Sequence, residues 1–130
     1  MFEYFMTLSR VYKVYIFLSF NILFGQFSSN VVHVDIISES EKVEASIIFD
    51  EIIDRDDVSG WIDRDNYFTL SLFNVSLGGN NFSGNDYKYP LLSVEAADAG
   101  GSVQIIFNTA KKIDSYQLIR HAKDKNLLVI

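Results

Sequence analysis

VDIISESEKVEASIIF (residues 34–49) and VEAADAGGSVQIIF (residues 94–107) follow the same plan. Each begins with a valine and an acidic residue, crosses a short polar turn, and ends on Ile-Ile-Phe. An apolar run that opens with asparagine follows each of them, at residues 66–70 (NYFTL) and 126–130 (NLLVI). Repetition of a unit of this size predicts a pseudo-symmetric domain. The alternation of apolar and polar residues predicts that its elements are β-strands.

The same alternation predicts which side chains face the core. A β-strand points successive side chains to opposite sides, so every second residue shares a face. In the first strand this puts Val32, Val34 and Ile36 on one face, with His33 and Asp35 on the other. Ten residues of the later strands are expected to point inward in the same way: Val43, Ala45, Ile47, Phe49, Phe68, Leu70, Leu72, Val103, Ile105 and Phe107.

Residues 78–90 (GGNNFSGNDYKYP) interrupt this pattern with turn-forming residues and the only proline of the chain. They separate two halves, residues 31–77 and 91–130, each too small to be stable alone. We therefore predict one domain over residues 26–130. Its class is all-β, a pseudo-symmetric β-sandwich built from two repeated strand units, with a short strand near Trp61.

The N-terminus has the pattern of a secretory signal peptide. Arg10 and Lys13 precede an uncharged apolar run at residues 14–24, and Gly25 follows as a small cleavage residue. We predict a signal peptide over residues 1–25 and a periplasmic or secreted location. An uncleaved membrane anchor and a core helix are the alternatives, although a span needs about 20 apolar residues.

Charge narrows the class of partner. Cleavage would remove Glu3, Arg10 and Lys13, which leaves 16 of the 17 acidic and 9 of the 11 basic residues, a net charge of −7. Such a chain does not attract nucleic acid and is repelled by anionic lipid. The chain has no cysteine, so neither disulfides nor thiolate metal sites are possible.

No pattern of catalytic residues is apparent, and we expect no enzyme activity, no metal and no cofactor. The acidic residues 50–65 could bind calcium or form a solvated loop, but Val58 stands where an EF-hand needs an oxygen ligand. His33 and His121 could share zinc or be ordinary surface residues. Without a Gly-x-Ser-x-Gly elbow, a small hydrolase is the remaining and least supported class. Asn74 and Asn81 match glycosylation acceptors, which matter only in a eukaryotic host.

Aromatic residues are the better candidates for ligand binding. Tyr87 and Tyr89 lie in the predicted loop, where a core role is less expected. Trp61 is interpreted first as a core residue and second as a ligand-binding one. Arg120, in a basic polar turn at residues 120–125, completes the set of candidate ligand-binding residues.

The order of these features resembles the AMIN domain, the non-catalytic β domain of periplasmic cell-wall amidases and of some secretins. The Val-x-Val opening, the second strand and the later hydrophobic strand of that family are matched twice, first by residues 32–34, 43–49 and 68–72. In the second copy they are matched by Val94 and by residues 103–107 and 127–130.

In the strand at residues 68–72, Ser71 replaces the aspartate of the family, and the proline that usually follows is Phe73 here. The family's arginine is missing from both copies. The resemblance implies a secreted β-sandwich that binds peptidoglycan or another cell-envelope component. No zinc-amidase domain follows, so the resemblance implies no amidase activity.

These features predict a non-catalytic secreted or periplasmic binding module whose partner is cell-wall glycan or an envelope protein. The alternative is a structural or assembly protein that pairs through its sheet edges. The apolar end at residues 128–130 suggests either a truncated gene or the front part of a longer protein, which would then carry further domains.

Overall fold

Residues 29–130 are described by the computed structural model, so the predicted signal peptide lies outside the described residues. They form nine β-strands and no α-helix, with 3₁₀ turns at Arg55–Asp57 and Ala122–Asp124. No helix in this part of the chain is long and apolar enough to cross a membrane. The strands are β1 (Ser29–Glu39), β2 (Lys42–Phe49), β3 (Val58–Asp63), β4 (Tyr67–Phe73), β5 (Val75–Ser76), β6 (Leu91–Asp98), β7 (Ser102–Thr109), β8 (Leu118–His121) and β9 (Asn126–Val129).

The strands form two sheets that pack face to face, which confirms the predicted all-β sandwich. The first sheet has the order β5-β1-β2-β9-β8 and the second the order β3-β4-β7-β6. The strands β1, β2, β3 and β4 of the first half correspond in order to β6, β7, β8 and β9 of the second half. When each strand is replaced by its counterpart, the order β1-β2-β9-β8 becomes β6-β7-β4-β3, which is the order of the second sheet. Each half of the chain therefore gives one hairpin to each sheet. The connectivity of the halves matches, while duplication of a sequence unit stays a prediction.

The core lies between the sheets and contains the ten residues expected to point inward. Nine of them are buried and Val43 packs against them half-buried. Paired strands bring these residues into layers: Ile47 lies opposite Leu127 in the first sheet, and Ile105 lies opposite Leu70 in the second. Burial of this apolar surface is the main favourable term in folding.

β1 departs from the predicted alternation at a β-bulge. Val31 pairs with Phe49 and His33 pairs with Ile48, so Val32 has no partner on β2. The extra residue turns Val31 into the core and leaves Val32 53% exposed. The expectation that Val32 shares a face with Val34 and Ile36 is therefore wrong.

The bulge also changes how the two hairpins correspond. Val94 pairs with Phe107, and Val31 pairs with Phe49, so Val31 is its structural counterpart. The similar letters at Val34 and Val94 thus occupy different positions in the two hairpins.

Residues 67–77 form two strands that belong to different sheets. Asn74 adopts a left-handed backbone, with φ of 58°. β4 therefore ends in the second sheet, and β5 pairs in parallel with Ser29 and Asn30 of the first sheet. The turn between β6 and β7 is as predicted, because Gly100 and Gly101 have φ of 64° and 96°.

Candidate functional site: the outer face of the second sheet

Trp61 lies on the outer face of the second sheet. β3 alternates so that Val58, Gly60 and Ile62 point inward, and Trp61 is 43% exposed. Gly60 lies against the ring of Phe68, where an added Cβ would come within 2.6 Å of its Cζ. The inner side therefore has no room for a large side chain at Gly60, and the interpretation of Trp61 as a core residue is wrong.

Trp61 begins a row of outward side chains that crosses all four strands of the second sheet. It lies opposite Thr69 on β4, Thr69 lies opposite Ile106 on β7, and Ile106 lies opposite Glu95 on β6. Three strand spacings make this row about 14 Å long. A tryptophan ring at one end and a carboxylate at the other therefore lie on the same face of the sheet.

Polar side chains lie within this row and on both sides of it. Thr69 and Ser71 are only 7% and 5% exposed, although they point away from the core. The Nε2 of Gln104 donates to the Oγ of Ser71 over 3.4 Å. We call this surface the Trp61 face, and its members are Ser59, Trp61, Asp63, Tyr67, Thr69, Ser71, Gln104, Ile106, Asn108, Ser93, Glu95 and Ala97.

Charge at one corner of the Trp61 face is balanced locally. The guanidinium carbon of Arg64 lies 4.8 Å from the ring centroid of Tyr67. The Nε of Arg64 lies 3.6 Å from a carboxylate oxygen of Asp63. This exposed pair contributes little to stability. It gives the corner both a cation and an anion, so the corner can donate and accept hydrogen bonds.

Arg120 and Tyr87 make contacts within the protein. Arg120 lies opposite Leu127 at an inward position of β8, and its Nη1 donates to the carbonyl of Ile53 over 3.1 Å. The Tyr87 hydroxyl donates to the carbonyl of Phe82, and burial raises the pKa of Tyr87. The first contact ties the loop at Ile53 to β8, and the second lies within the loop of residues 78–90.

Tyr89 lies away from the Trp61 face, near a cleft of about 450 Å³ at the end of the sandwich. It is 57% exposed, and the Nζ of Lys111 lies 6.0 Å from its ring centroid. Lys111 forms an ion pair with Glu41 over 3.0 Å, which raises the pKa of the lysine. The four predicted ligand-binding residues thus do not form one site.

The two histidines do not meet. His33 and His121 both point outward from the first sheet, in a row that runs through Ile48 and Asn126. Three strand spacings, about 14 Å, separate their positions. Among residues 29–130 no three His, Asp or Glu side chains are grouped so that they could hold a metal ion.

The acidic loop makes local hydrogen bonds. The Oδ1 of Asp50 accepts from the Asn30 backbone amide over 2.8 Å, and its Oδ2 accepts from the Asn30 side chain over 2.9 Å. These bonds lower the pKa of Asp50. The Asp54 side chain accepts from the Asp56 backbone over 3.2 Å. These carboxylates therefore serve loop structure.

No family model matches the sequence, and the searches of curated proteins and of solved structures returned no match. The resemblance to the AMIN domain therefore stays a prediction. Sequence reasoning missed Thr69, Gln104, Ile106 and Glu95 as members of a surface. The signal was present for three of them, because Thr69, Gln104 and Ile106 each lie one residue away from a position that the alternation assigns to the inner side.

Proposed function

We propose that this protein is a non-catalytic binding module, secreted or periplasmic, for peptidoglycan or another glycan-bearing component of the cell envelope. The Trp61 face is the observation that carries this proposal. A half-exposed tryptophan on a paired strand offers a flat apolar ring at a fixed orientation. Sugar rings have apolar C–H faces that stack on such a ring.

Hydrogen-bonding groups near the ring support a sugar ligand. Hydroxyl groups of a glycan can bond to Glu95 in the same row as Trp61, and to Gln104 and Asn108 in the flanking rows. These positions are on strands, which hold them more precisely than loops do. Thr69 and Ser71 have short side chains, so the centre of the Trp61 face does not protrude and a chain of sugars can lie across it.

Trp61 is the only tryptophan of the chain, so its fluorescence reports directly on this face. The protein is titrated with soluble N-acetylglucosamine oligomers, and its retention on insoluble peptidoglycan is measured. We expect a saturable change of emission, and about tenfold weaker retention for Trp61→Ala.

His121→Ala is the matched control, because His121 occupies the corresponding end of the row on the first sheet. It should bind as the wild type does. Equal retention of wild type and Trp61→Ala, both properly folded, would contradict the proposal.

A second candidate function is a structural or assembly protein that pairs through a sheet edge. One observation favours it. β1 is eleven residues long, yet β5 pairs only with its first two residues, Ser29 and Asn30. An uncovered strand edge is a ready template for another strand.

A further inference from the structure

The sheet edges of this protein differ in how they are covered. The β3 edge is covered by Tyr116, whose hydroxyl donates to the carbonyl of Gly60 over 2.7 Å. The β6 edge is covered by Gly84, which exchanges backbone hydrogen bonds of 2.8 and 2.9 Å with Val94. The β8 edge is only four residues long. None of these contacts covers the edge of β1, which is eleven residues long.

The cover of β1 stops at Val31. The Asn80 side chain donates to the Val31 carbonyl over 2.7 Å, which ends the contacts of β5 and its following turn. From residue 33 to residue 39, β1 pairs with β2 on its other side. No other hydrogen bond from residues 29–130 reaches the backbone of this segment. We call residues 32–39 the β1 edge.

The turn between β1 and β2 determines which backbone groups face outward. Ser40 and Glu41 form a two-residue turn closed by the pair Glu39–Lys42. The closing pair of such a hairpin exchanges both hydrogen bonds, and bonded and non-bonded pairs then alternate. Ile36, and the residues two positions to either side of it, therefore direct their amide and carbonyl groups away from β2.

We propose that the β1 edge binds the β1 edge of a second copy of this chain, antiparallel, about a two-fold axis at Ile36. This inference rests on the second candidate function and does not depend on glycan binding. Ile36 then exchanges two hydrogen bonds with its symmetry mate. Val34 exchanges two with Ser38 of the second copy, and the symmetric pair does the same, so six backbone hydrogen bonds form.

This register places no like charges opposite each other, and the imidazole of His33 can donate a hydrogen bond to a carboxylate. In it, His33 lies opposite Glu39 of the second copy on the outer face, and Asp35 lies opposite Ile37. An axis at Asp35 would instead place two copies of that carboxylate opposite each other. An axis at Ile37 would place Asp35 opposite Glu39. Like charges directly opposite each other on neighbouring strands are destabilising.

Sterics and side-chain direction exclude further registers. A shift of the axis to Val34 would bring Ser38 of the second copy against Asn30, whose edge is occupied by β5. An axis that passes between two residues would place each core-facing residue of one copy opposite a solvent-facing residue of the other. The register centred on Ile36 is therefore the one that satisfies the charges and leaves β5 in place.

The dimer should be weak and favoured by salt. Six hydrogen bonds along one strand, with contacts from the half-exposed Ile37, bury less than the roughly 1,200 Å² of a standard interface. The net charge of −6 for the whole chain also opposes association at low ionic strength. Self-association should therefore be seen at high protein concentration and should strengthen as salt is added.

Sedimentation velocity of the purified protein over a range of concentrations tests the inference. Wild type should show a monomer–dimer equilibrium. Ile37→Glu places a carboxylate opposite Asp35 of the second copy and should weaken the dimer roughly tenfold, whereas Ile37→Lys should strengthen it. Adding Asp35→Lys to Ile37→Glu should restore the dimer, because the opposing charges are then complementary.

Ile37 also lies opposite Glu44 within the hairpin, so the thermal midpoint of each variant is measured at a dilution where it is monomeric. A dimer that responds to none of these charge changes overturns the Ile36-centred register but leaves the assembly function standing. A chain that stays monomeric at every concentration and salt overturns both. A β1 edge covered by residues 1–28 would appear as slow amide exchange at Ile36 in the monomer, and it would also overturn the inference.

Discussion

The two sheets share a strand order and an inner register but differ on their outer faces. Ile48 and Ile106 occupy equivalent positions, with Asn126 beside the first and Thr69 beside the second. The ends of the two rows differ. Across the sheets the equivalent rows read His33–Ile48–Asn126–His121 in the first and Glu95–Ile106–Thr69–Trp61 in the second.

The edges of the two sheets differ in the same way. β1 and β6 are equivalent strands at equivalent edges. The β6 edge is covered by Ser83 and Gly84, whereas β1 is uncovered by the described residues beyond Val31. The inner faces of the two sheets match, whereas their outer faces and edges differ. Packing of the core therefore explains the strand order and register that the two sheets share. Their differences are where binding functions should be sought, with a glycan on the second sheet and a second copy at the first.

The largest expected effect tests whether the interiors are energetically equivalent. Leu70 and Leu127 are equivalent and fully buried. Truncation to alanine removes apolar contacts and leaves a cavity, so Leu70→Ala and Leu127→Ala should each lower the free energy of unfolding by about 3 kcal/mol. Urea unfolding measures both. Leu92→Ala, at an exposed position of β6, is the control and should cost less than about 0.5 kcal/mol. Unequal losses at the two leucines would show that the equivalence ends at topology.

A smaller effect on stability is expected at an inward-facing position of the edge strands, where the two sheets carry very different residues. Gly60 on β3 and Arg120 on β8 occupy equivalent positions. Gly60→Ala should cost about 1–3 kcal/mol, because the new methyl group overlaps the buried ring of Phe68. Urea unfolding measures the loss. Gly84→Ala is a matched control, since its Cβ would enter open space, and it should be near neutral. A neutral Gly60→Ala would mean that the ring moves freely.

A third change uncovers the β6 edge and so makes it more like the β1 edge. The Ser83 hydroxyl accepts from the Ala96 amide over 2.7 Å and donates to its carbonyl over 3.2 Å. Ser83→Ala should cost about 1 kcal/mol and speed hydrogen exchange at Ala96. In the monomer, the outward-facing amide of Ile36 should already exchange fast. Ser59→Ala, on the outer face of β3, should leave the exchange of Ala96 unchanged. Unchanged exchange in Ser83→Ala would show that the loop does not protect this edge.

The smallest effect concerns the residue after each Ile-Ile-Phe run, which is Asp50 in the first half and Asn108 in the second. Hydrogen bonds from Asn30 lower the pKa of Asp50 below its usual 3.8. The ionised carboxylate therefore stabilises the folded state above the unfolded pKa, and this stability is lost as pH falls through the folded value.

In Asp50→Asn, position 50 no longer titrates. The variant should be slightly less stable than wild type at neutral pH, and the difference should vanish in strong acid. The difference stays small because water screens this exposed carboxylate. Thermal unfolding at several pH values measures it. A difference that grows in acid would contradict the assigned cause.

Local alternation was enough to predict the inward side chains. Ile47 and Phe49 in one half, and Ile105 and Phe107 in the other, each belong to strands with a clean period of two. Trp61 was harder, because β3 has few residues and alternation allows either Trp61 or its neighbours to point inward. Room on the inner side decides it. The ring of Phe68, which belongs to another strand, fills the space at Gly60.

Pairing between the halves could not be predicted from local pattern. Nothing in residues 126–129 indicates that they pair with β2, because strand partners are chosen by contacts between distant parts of the chain. The bulge at Val32 and the change of sheet at Asn74 depend on the same long-range packing. The Trp61 face could not be predicted because its rows of side chains form only when β4 pairs with β7.

Each sheet combines one hairpin from each half of the chain, and this has a consequence for synthesis of the chain. β2 pairs with β9, although β2 leaves the ribosome long before β9 is translated. The second sheet also waits, since β4 pairs with β7 from the other half. Neither sheet can be completed by the first half alone, so the newly made half carries apolar strands without partners. A chaperone that shields β2 and β4 during this interval should raise the yield of folded protein more than one acting after release.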